Sequence, residues 1–276
     1  MNSRSSVIPA RFRAMLVILI LLAGIAEPAF AYTTLAPRPG HKDVEVHFGI
    51  EIAAGSANSK FSAIRGGATA THLDYSDDFN GGSVLAMLIP SLRISMNGRY
   101  HFDMSLWIYD AASDEILARN VTFKNTLFPT GNRVRANDGA YAFNLDFLYG
   151  VIEDHSEGNF RVGGGFVVLG ARDELTDITA GGTRRDQALS VILPELVSEV
   201  EVALGHPWIR FTARGELAGL DNGYYVAATA GIKMELSDNF DLDFHLRGFA
   251  CGVQDNNSYA HYNDFVGGGI KFIFRF

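Results

Sequence analysis

Apolar and polar residues alternate at every second position in segment after segment between residue 43 and the end of the chain. In "DVEVHFGIEI" the apolar positions are Val44, Val46, Phe48, Ile50 and Ile52. The closing "KFIFRF" repeats the pattern with three phenylalanines at every second position. Successive side chains of a β-strand point to opposite faces, so this alternation predicts strands with one apolar and one polar face.

Ten segments carry the pattern. The predicted strands are 43–54, 83–96, 99–109, 139–152, 158–171, 190–204, 208–219, 223–236, 239–250 and 264–276. Their 11 to 15 residues exceed the five or six of a typical globular strand and approach the roughly 9 to 11 that cross a bilayer when tilted. Strands of this length favour a membrane barrel over a soluble sandwich.

The connections between these segments alternate between short and long. Short turns follow the second, fourth, sixth and eighth strands at "NGR", "EDHSEG", "GHP" and "SDN". Long loops are predicted at 55–82, 110–138, 172–189 and 251–263, and the short connection near "LDNG", Leu220 to Gly223, is the one exception to the pattern. Short turns on one rim and long loops on the other are typical of transmembrane barrels. The sequence therefore predicts an all-β fold, a transmembrane antiparallel up-and-down β-barrel of about ten strands, with eight or twelve as alternatives that depend on how 110–138 is counted.

Aromatic residues gather near both ends of the strands, as they do at the two interfaces of a membrane barrel. Those near the short turns are Tyr100, Phe102, Tyr149, Phe160, Trp208, Phe240, Phe274 and Phe276. Those near the long loops are Tyr109, Tyr141, Tyr224 and Tyr225. Both groups are expected to face lipid headgroups.

The first 31 residues have the order of a secretory signal peptide: arginines, an apolar run beginning at Met15, and "AFA" ending at Ala31. Residues 32–42 are then a periplasmic lead-in, and 43–276 form the barrel. Cleavage near Ala31 leaves 20 basic against 30 acidic residues, which excludes nucleic acid as a partner because phosphate contacts need clustered cations.

The signal peptide, the alternation over 43–276 and the terminal "FIFRF" together resemble the bacterial outer-membrane β-barrel class. The resemblance implies location in the outer membrane of a Gram-negative bacterium, with outer-membrane lipid and the barrel-assembly machinery as partners. It also implies that Phe272, Phe274 and Phe276 form the assembly signal read on the last strand, which must pair with the first.

The polar face of each strand would line the barrel interior. We predict a lumen charge network of Glu199, Glu201, Arg210, Arg214, Glu216, Lys233, Glu235, Asp241, Asp243, His245 and Arg247. The tight turns place Glu201 near Arg210, Glu199 near Arg214, and Lys233 near Asp241 or Asp243. Opposite charges in a ten-stranded barrel predict a lumen that is plugged by ion pairs.

Asp243 and His245 lie on one face of a strand, an arrangement similar to the Asp-x-His pair of the omptins, ten-stranded outer-membrane proteases. The resemblance implies a hydrolase in which this pair acts with acidic residues at the barrel mouth. Here the pair lies mid-strand among other ion pairs, so the chain is predicted not to be an enzyme. Histidines are dispersed and no cluster has metal-ligand spacing, so no metal or cofactor is predicted.

Three functions stay open. The first is a structural or surface-interaction barrel with a plugged lumen and long surface loops. The second is a narrow porin-like channel for small solutes, with a conductance altered by Glu199→Ala or Arg214→Ala. The third is an omptin-like hydrolase that loses activity in His245→Ala. A small solute or a surface ligand is the corresponding partner.

Overall fold

The computed structural model describes residues 44–63, 71–79, 81, 84–154, 156–179, 182–206, 208–255 and 258–276. Ten long strands form the body: β1 (Val44–Ala63), β3 (Val84–Met96), β4 (Tyr100–Ile116), β7 (Arg133–Asp154), β8 (Gly158–Asp177), β9 (Arg184–Ala203), β10 (Ile209–Leu220), β11 (Gly223–Ser237), β12 (Phe240–Asp255) and β13 (Tyr259–Arg275). Small elements in the loops are β2 (Leu73–Asp74), α1 (Tyr75–Phe79), β5 (Val121–Phe123) and β6 (Thr126–Phe128). The predicted signal peptide and lead-in lie outside the described residues.

The ten long strands form one closed antiparallel sheet. They follow one another in the order β1, β3, β4, β7, β8, β9, β10, β11, β12 and β13, and β13 pairs with β1. The closing ladder runs from His47 opposite Arg275 to Ala63 opposite Tyr259. The predicted ten-stranded up-and-down barrel is therefore confirmed, and so is the pairing of the last strand with the first.

The barrel strands extend further toward the loops than the sequence predicts. The predicted long loops at 172–189 and 251–263 are wrong, because β8 continues to Asp177, β9 begins at Arg184, β12 continues to Asp255 and β13 begins at Tyr259. The other two predicted loops, 55–82 and 110–138, also lose their ends to strands, because β1 continues to Ala63, β4 to Ile116, and β7 begins at Arg133.

The reason for this extension is that the two faces exchange character along each strand. Near the short turns of β7, Phe147 is exposed outside while Asp146 is buried inside. Near the loops of the same strand, Arg135 is half exposed outside while Val134 and Ala136 are buried inside. A search for strands that are apolar outside and polar inside therefore stops where the pattern reverses.

The exterior carries an apolar band in the half nearest the short turns. Each of the ten barrel strands contributes at least one large exposed apolar side chain to it: Ile52, Leu88, Ile108, Phe147, Phe166, Leu196, Leu217, Ile232, Leu246 and Val266. Toward the loops polar residues become more frequent on the outer face, although Ile116 at the end of β4 is also exposed. None of the helices in the described part of the chain is long and apolar enough to cross a membrane.

The predicted aromatic girdle is only partly on the outside. Tyr109 and Tyr225 were predicted at the loop-side interface, but both are buried inside the barrel because they lie on the inward face of their strands. Tyr224 and Tyr262 are the exposed aromatic residues there, and their ring centroids lie 6.4 Å apart.

The loop end of the barrel is covered by a small cap. Phe61 of β1 packs against Phe79 of α1 and Phe123 of β5, with ring centroids 6.3 and 6.0 Å apart. Arg119 donates from Nε and Nη2 to the two carboxylate oxygens of Asp78 at 2.9 and 2.8 Å. The cap thus continues the apolar interior of the strands.

Candidate functional site

A charged group fills the barrel interior near the short turns, and its ion pairs cross the lumen. Arg214 Nη1 lies 2.6 Å from Asp103 Oδ2, although β10 and β4 are four strands apart. Arg93 Nη2 lies 2.6 Å from Glu199 Oε2 across the same number of strands. These contacts hold opposite walls of the barrel together.

A cavity of about 210 Å³ lies within this charged group. Its lining includes every residue of the predicted network except Arg210: Glu199, Glu201, Arg214, Glu216, Lys233, Glu235, Asp241, Asp243, His245 and Arg247. Arg210 is buried beside the cavity, with Nε 3.4 Å from Glu201 Oε1 and 3.2 Å from Glu235 Oε1. The predicted residues are therefore brought together in one region.

The short turns fix the register of adjacent strands and so determine which charged residues lie opposite each other. Arg214 lies opposite Glu199 in the β9–β10 ladder, with Nη1 3.4 Å from Oε2. Lys233 lies opposite Asp243 in the β11–β12 ladder, but its Nζ contacts Glu201 Oε1 at 2.5 Å. The lysine therefore bridges to β9 instead of to either acid predicted for it.

Several inward groups that sequence reasoning did not place in the network contribute to it, among them Arg161 and Glu153. Arg161 donates to Glu199 Oε1 at 2.6 Å and to Glu153 Oε1 at 2.7 Å. The register of β7 with β8 shifts between Gly150 and Ile152. A bulge of this kind reverses the inward and outward parity, and it turns Glu153 toward the lumen.

Asp243 and His245 lie in the charged half, away from the loops. His245 Nε2 is 3.0 Å from Glu51 Oε1, and its Nδ1 is 3.4 Å from Asp243 Oδ1. Gly269 packs against the ring, where a β-carbon would come within 2.6 Å of Nε2. Glu51 also accepts a bond from Arg247 Nη2 at 2.9 Å, so the histidine lies inside an ion-pair network.

The middle of the lumen is filled by stacked aromatic side chains. The rings of Trp107 and Phe249 stack with centroids 4.5 Å apart, although β4 and β12 are four strands apart. Phe265 stacks on Phe249 at 5.3 Å, and Tyr109 on Trp107 at 6.4 Å. Opposite walls therefore meet in van der Waals contact here.

A second polar group, which sequence reasoning missed, lies beyond the aromatic stack toward the loops. Asp138, Asp173 and His261 are all fully buried, and Tyr109 and Tyr259 donate hydroxyl bonds to the two carboxylates. His261 and Asp173 are 88 residues apart in the chain, so no spacing in the sequence indicates their contact. Strand alternation can show only that each residue would lie on the inward face of its strand. The contacts among the three residues form when the barrel closes.

This second group lies beyond the apolar band, because its outward neighbours include Arg172 and Lys60 with well-exposed side chains and Tyr262 of the loop-side aromatic pair. Burial raises the pKa of Asp138 to about 7, against the opposing charge of His261. Burial lowers the pKa of His261, but the charges of Asp173 and Asp138 outweigh it and leave the pKa above its ordinary value.

The terminal phenylalanines lie on the outer face of β13. Phe274 and Phe276 are exposed, while Lys271, Ile273 and Arg275 line the charged cavity. The Phe276 N–H donates to the Val46 carbonyl at 2.9 Å, so the last residue is part of the seam that closes the barrel.

No protein-family model matches the chain, and no curated protein matches it in sequence. Among solved structures, the outer-membrane protease OmpT of Escherichia coli is 12% identical with a TM-score of 0.43, over 87% of this chain and 99% of that one. The translocator domain of the autotransporter NalP of Neisseria meningitidis is 11% identical with a TM-score of 0.43, over 94% and 96% of the two chains. The attachment invasion locus protein Ail of Yersinia pestis is 9% identical with a TM-score of 0.36, over 84% and 99%. At these values the similarities carry no information on activity, ligand or partner.

Proposed function

We propose that this ten-stranded barrel of the outer-membrane class is an integral outer-membrane protein with a closed lumen, and that it has a structural or surface-interaction role. The observation that carries the proposal is the stack of Trp107 on Phe249 across the interior. A solute path along the barrel axis would have to separate these two rings.

The exterior supports location in a membrane. Leu246, Leu196 and Ile192 are 72%, 68% and 64% exposed, and comparable residues surround the whole barrel. Soluble monomers rarely expose contiguous apolar patches larger than a few hundred Å². We therefore propose that this apolar band contacts membrane lipid, and that lipid is a partner of the protein.

The interior supports closure at two levels. In the charged half, Arg214 and Arg93 connect opposite walls through bidentate and bridging contacts with acidic residues. In the middle, the charged lining gives way to a buried cluster of mostly aromatic and aliphatic side chains, which is a poor path for hydrated ions. The closed lumen favours the structural or surface role over the porin-like channel.

The loop end supports a surface role. The cap formed by α1 and the β5–β6 hairpin packs on the apolar interior through Phe61, Phe79 and Phe123. It is therefore held as an ordered surface that a ligand or another cell-surface molecule can contact. β1 begins and β13 ends on the side of the short turns, and in our proposal that side faces the periplasm and the cap faces outward from the cell.

Conductance of the refolded protein in planar bilayers tests the proposal. We expect no discrete current steps above the lipid background, because the aromatic stack blocks the axis. Discrete steps from correctly folded protein would overturn the closed lumen in favour of the channel.

Tryptophan fluorescence provides a second test, since the chain has only two tryptophans. In Trp208→Phe the remaining Trp107 is 1% exposed and should resist quenching by aqueous acrylamide. In the matched variant Trp107→Phe, the remaining Trp208 is 46% exposed and should be quenched readily. Equal quenching of the two variants would show water in the middle of the lumen and contradict the proposal.

A further inference from the structure

Three side chains from distant strands meet in the loop half of the barrel. Asp138 of β7 lies opposite Asp173 of β8 in the sheet, and His261 comes from β13, which is five strands from β8 in either direction. His261 Nδ1 is 3.1 Å from Asp173 Oδ2 and 3.7 Å from Asp138 Oδ1. One ligating atom from each of the three lies within 4.8 Å of the other two.

These separations suit a small metal ion. With bonds of about 2.0–2.1 Å, the ligand atoms of a tetrahedral zinc site lie about 3.3 Å from one another. The two distances from His261 Nδ1, 3.1 and 3.7 Å, bracket that value. The third separation, between the ligating oxygens of Asp138 and Asp173, is at most 4.8 Å, so the side chains would adjust when an ion binds.

Neighbouring hydroxyls hold the carboxylates and leave one oxygen free. Tyr109 donates to Asp138 Oδ2 at 2.9 Å, and Tyr259 donates to Asp173 Oδ2. Asp138 Oδ1 is buried and has no hydrogen-bond partner among the described residues, and it points toward the His261 ring. Hydrogen bonds from such outer groups are what orient the ligands of protein metal sites.

We propose that Asp138, Asp173 and His261 bind one divalent transition-metal ion of the size and preference of zinc. Two carboxylates and a neutral imidazole carry two negative charges, which a divalent ion balances in this buried site. Three protein ligands leave the fourth position of a tetrahedral ion to a trapped water molecule. One imidazole nitrogen with only two carboxylates suits zinc better than calcium, which takes six to eight oxygens.

The ion would brace the barrel beneath its cap. It would connect β7 and β8 to β13 on the opposite wall, at a level where the strands extend beyond the apolar band. The site therefore has a structural role, and its loss should loosen the cap while the charged half stays closed.

Zinc binding by tag-free protein, refolded in detergent after removal of metal, tests the site. We expect wild-type protein refolded with zinc to retain one equivalent after dialysis, as measured by elemental analysis. Asp138→Asn and His261→Gln should each bind zinc at least tenfold more weakly in competition with a chromogenic chelator. The control His206→Gln, at an exposed histidine on a short turn, should bind like wild type.

Two results would overturn the proposal: wild-type protein that retains no zinc, or equal zinc affinity in wild type and Asp138→Asn. Cobalt uptake by wild-type protein tests the site even if the variants do not fold. Intense visible absorption from a four-coordinate ion with nitrogen and oxygen ligands is expected. Weak bands of six-coordinate cobalt would indicate surface binding only and contradict the buried site.

Discussion

A single guanidinium, that of Arg214, balances several acids in the charged half of the lumen. Its Nη1 contacts Asp103, its Nη2 contacts Asp146 and its Nε contacts Glu216, each at 2.6 Å. The sequence predicts the contact with Glu199 because a tight turn fixes which residues face each other. It does not predict those with Asp103 and Asp146, because they depend on how the closed barrel brings opposite walls together.

Removal of this side chain should have a large cost. In Arg214→Met the methylene packing is partly retained, while Asp103, Asp146 and Glu216 lose their common partner. Leaving buried charges without a partner typically costs about 3–5 kcal/mol. We expect the free energy of unfolding, measured by urea titration in lipid vesicles, to fall by about that amount.

Arg135→Met is the matched control for Arg214→Met. Arg135 pairs with Asp114 on the exposed outer face near the loops, where solvent screens the interaction. Little change in stability is expected there. Similar losses in the two variants would show that the lumen network is not the source of the effect.

At the scale of the strands, the period-two pattern predicts ten elements and their order but not their full length. The pattern predicts each strand where apolar residues such as Phe147 face outward and polar residues such as Asp146 face inward. Beyond that point Val134 and Ala136 face inward and Arg135 outward, as in a soluble barrel. The alternation continues there, but with apolar residues inside and polar residues outside. A search for apolar residues on the outer face alone therefore ends at the reversal. The cluster of Asp138, Asp173 and His261 lies in this reversed part, outside the predicted strands. The sequence pattern therefore does not predict it.

The reversal can be tested on one face of one strand. Leu246 lies in the apolar band of β12, and Gln254 lies outward on the same strand near the loops, where it is exposed. An arginine on the lipid face costs about 2–4 kcal/mol at the bilayer midplane and close to zero beyond the interface.

We therefore expect Leu246→Arg to lower the free energy of unfolding in vesicles by up to that amount, and Gln254→Arg to leave it nearly unchanged. Urea titration followed by tryptophan fluorescence measures both. An equal effect at the two positions would contradict the boundary between the lipid-facing and water-facing parts of β12.

At the scale of the whole molecule, the barrel depends on one seam between its first and last strands. β13 pairs with β1 over 17 residues of each strand, and the Phe276 N–H adds a bond to the Val46 carbonyl. Phe272, Phe274 and Phe276 lie on the outer side of this seam. The sequence predicts both the seam and the outward direction of these rings, because the alternation extends to the final residue.

Deletion of Phe276 should impair assembly of the barrel. The truncated chain loses the terminal backbone bond to Val46 and an aromatic ring that is 65% exposed at the short-turn interface. We expect the folded, heat-modifiable form in the outer-membrane fraction to decrease several-fold, while Phe276→Tyr should assemble like wild type. Normal insertion of the truncated chain would show that the last residue is dispensable for assembly.

The exchange of inner and outer character along the strands also has a thermodynamic consequence. When the protein folds, the loop half transfers its apolar side chains from water into its own interior, and the short-turn half transfers its outer apolar side chains from water into lipid. Only the loop half therefore depends on apolar burial inside the barrel to hold its walls together, because ion pairs cross the interior of the short-turn half. Because the hydrophobic contribution weakens on cooling, the cap should be the part of the molecule that loosens at low temperature, with the base of the barrel still closed beneath it.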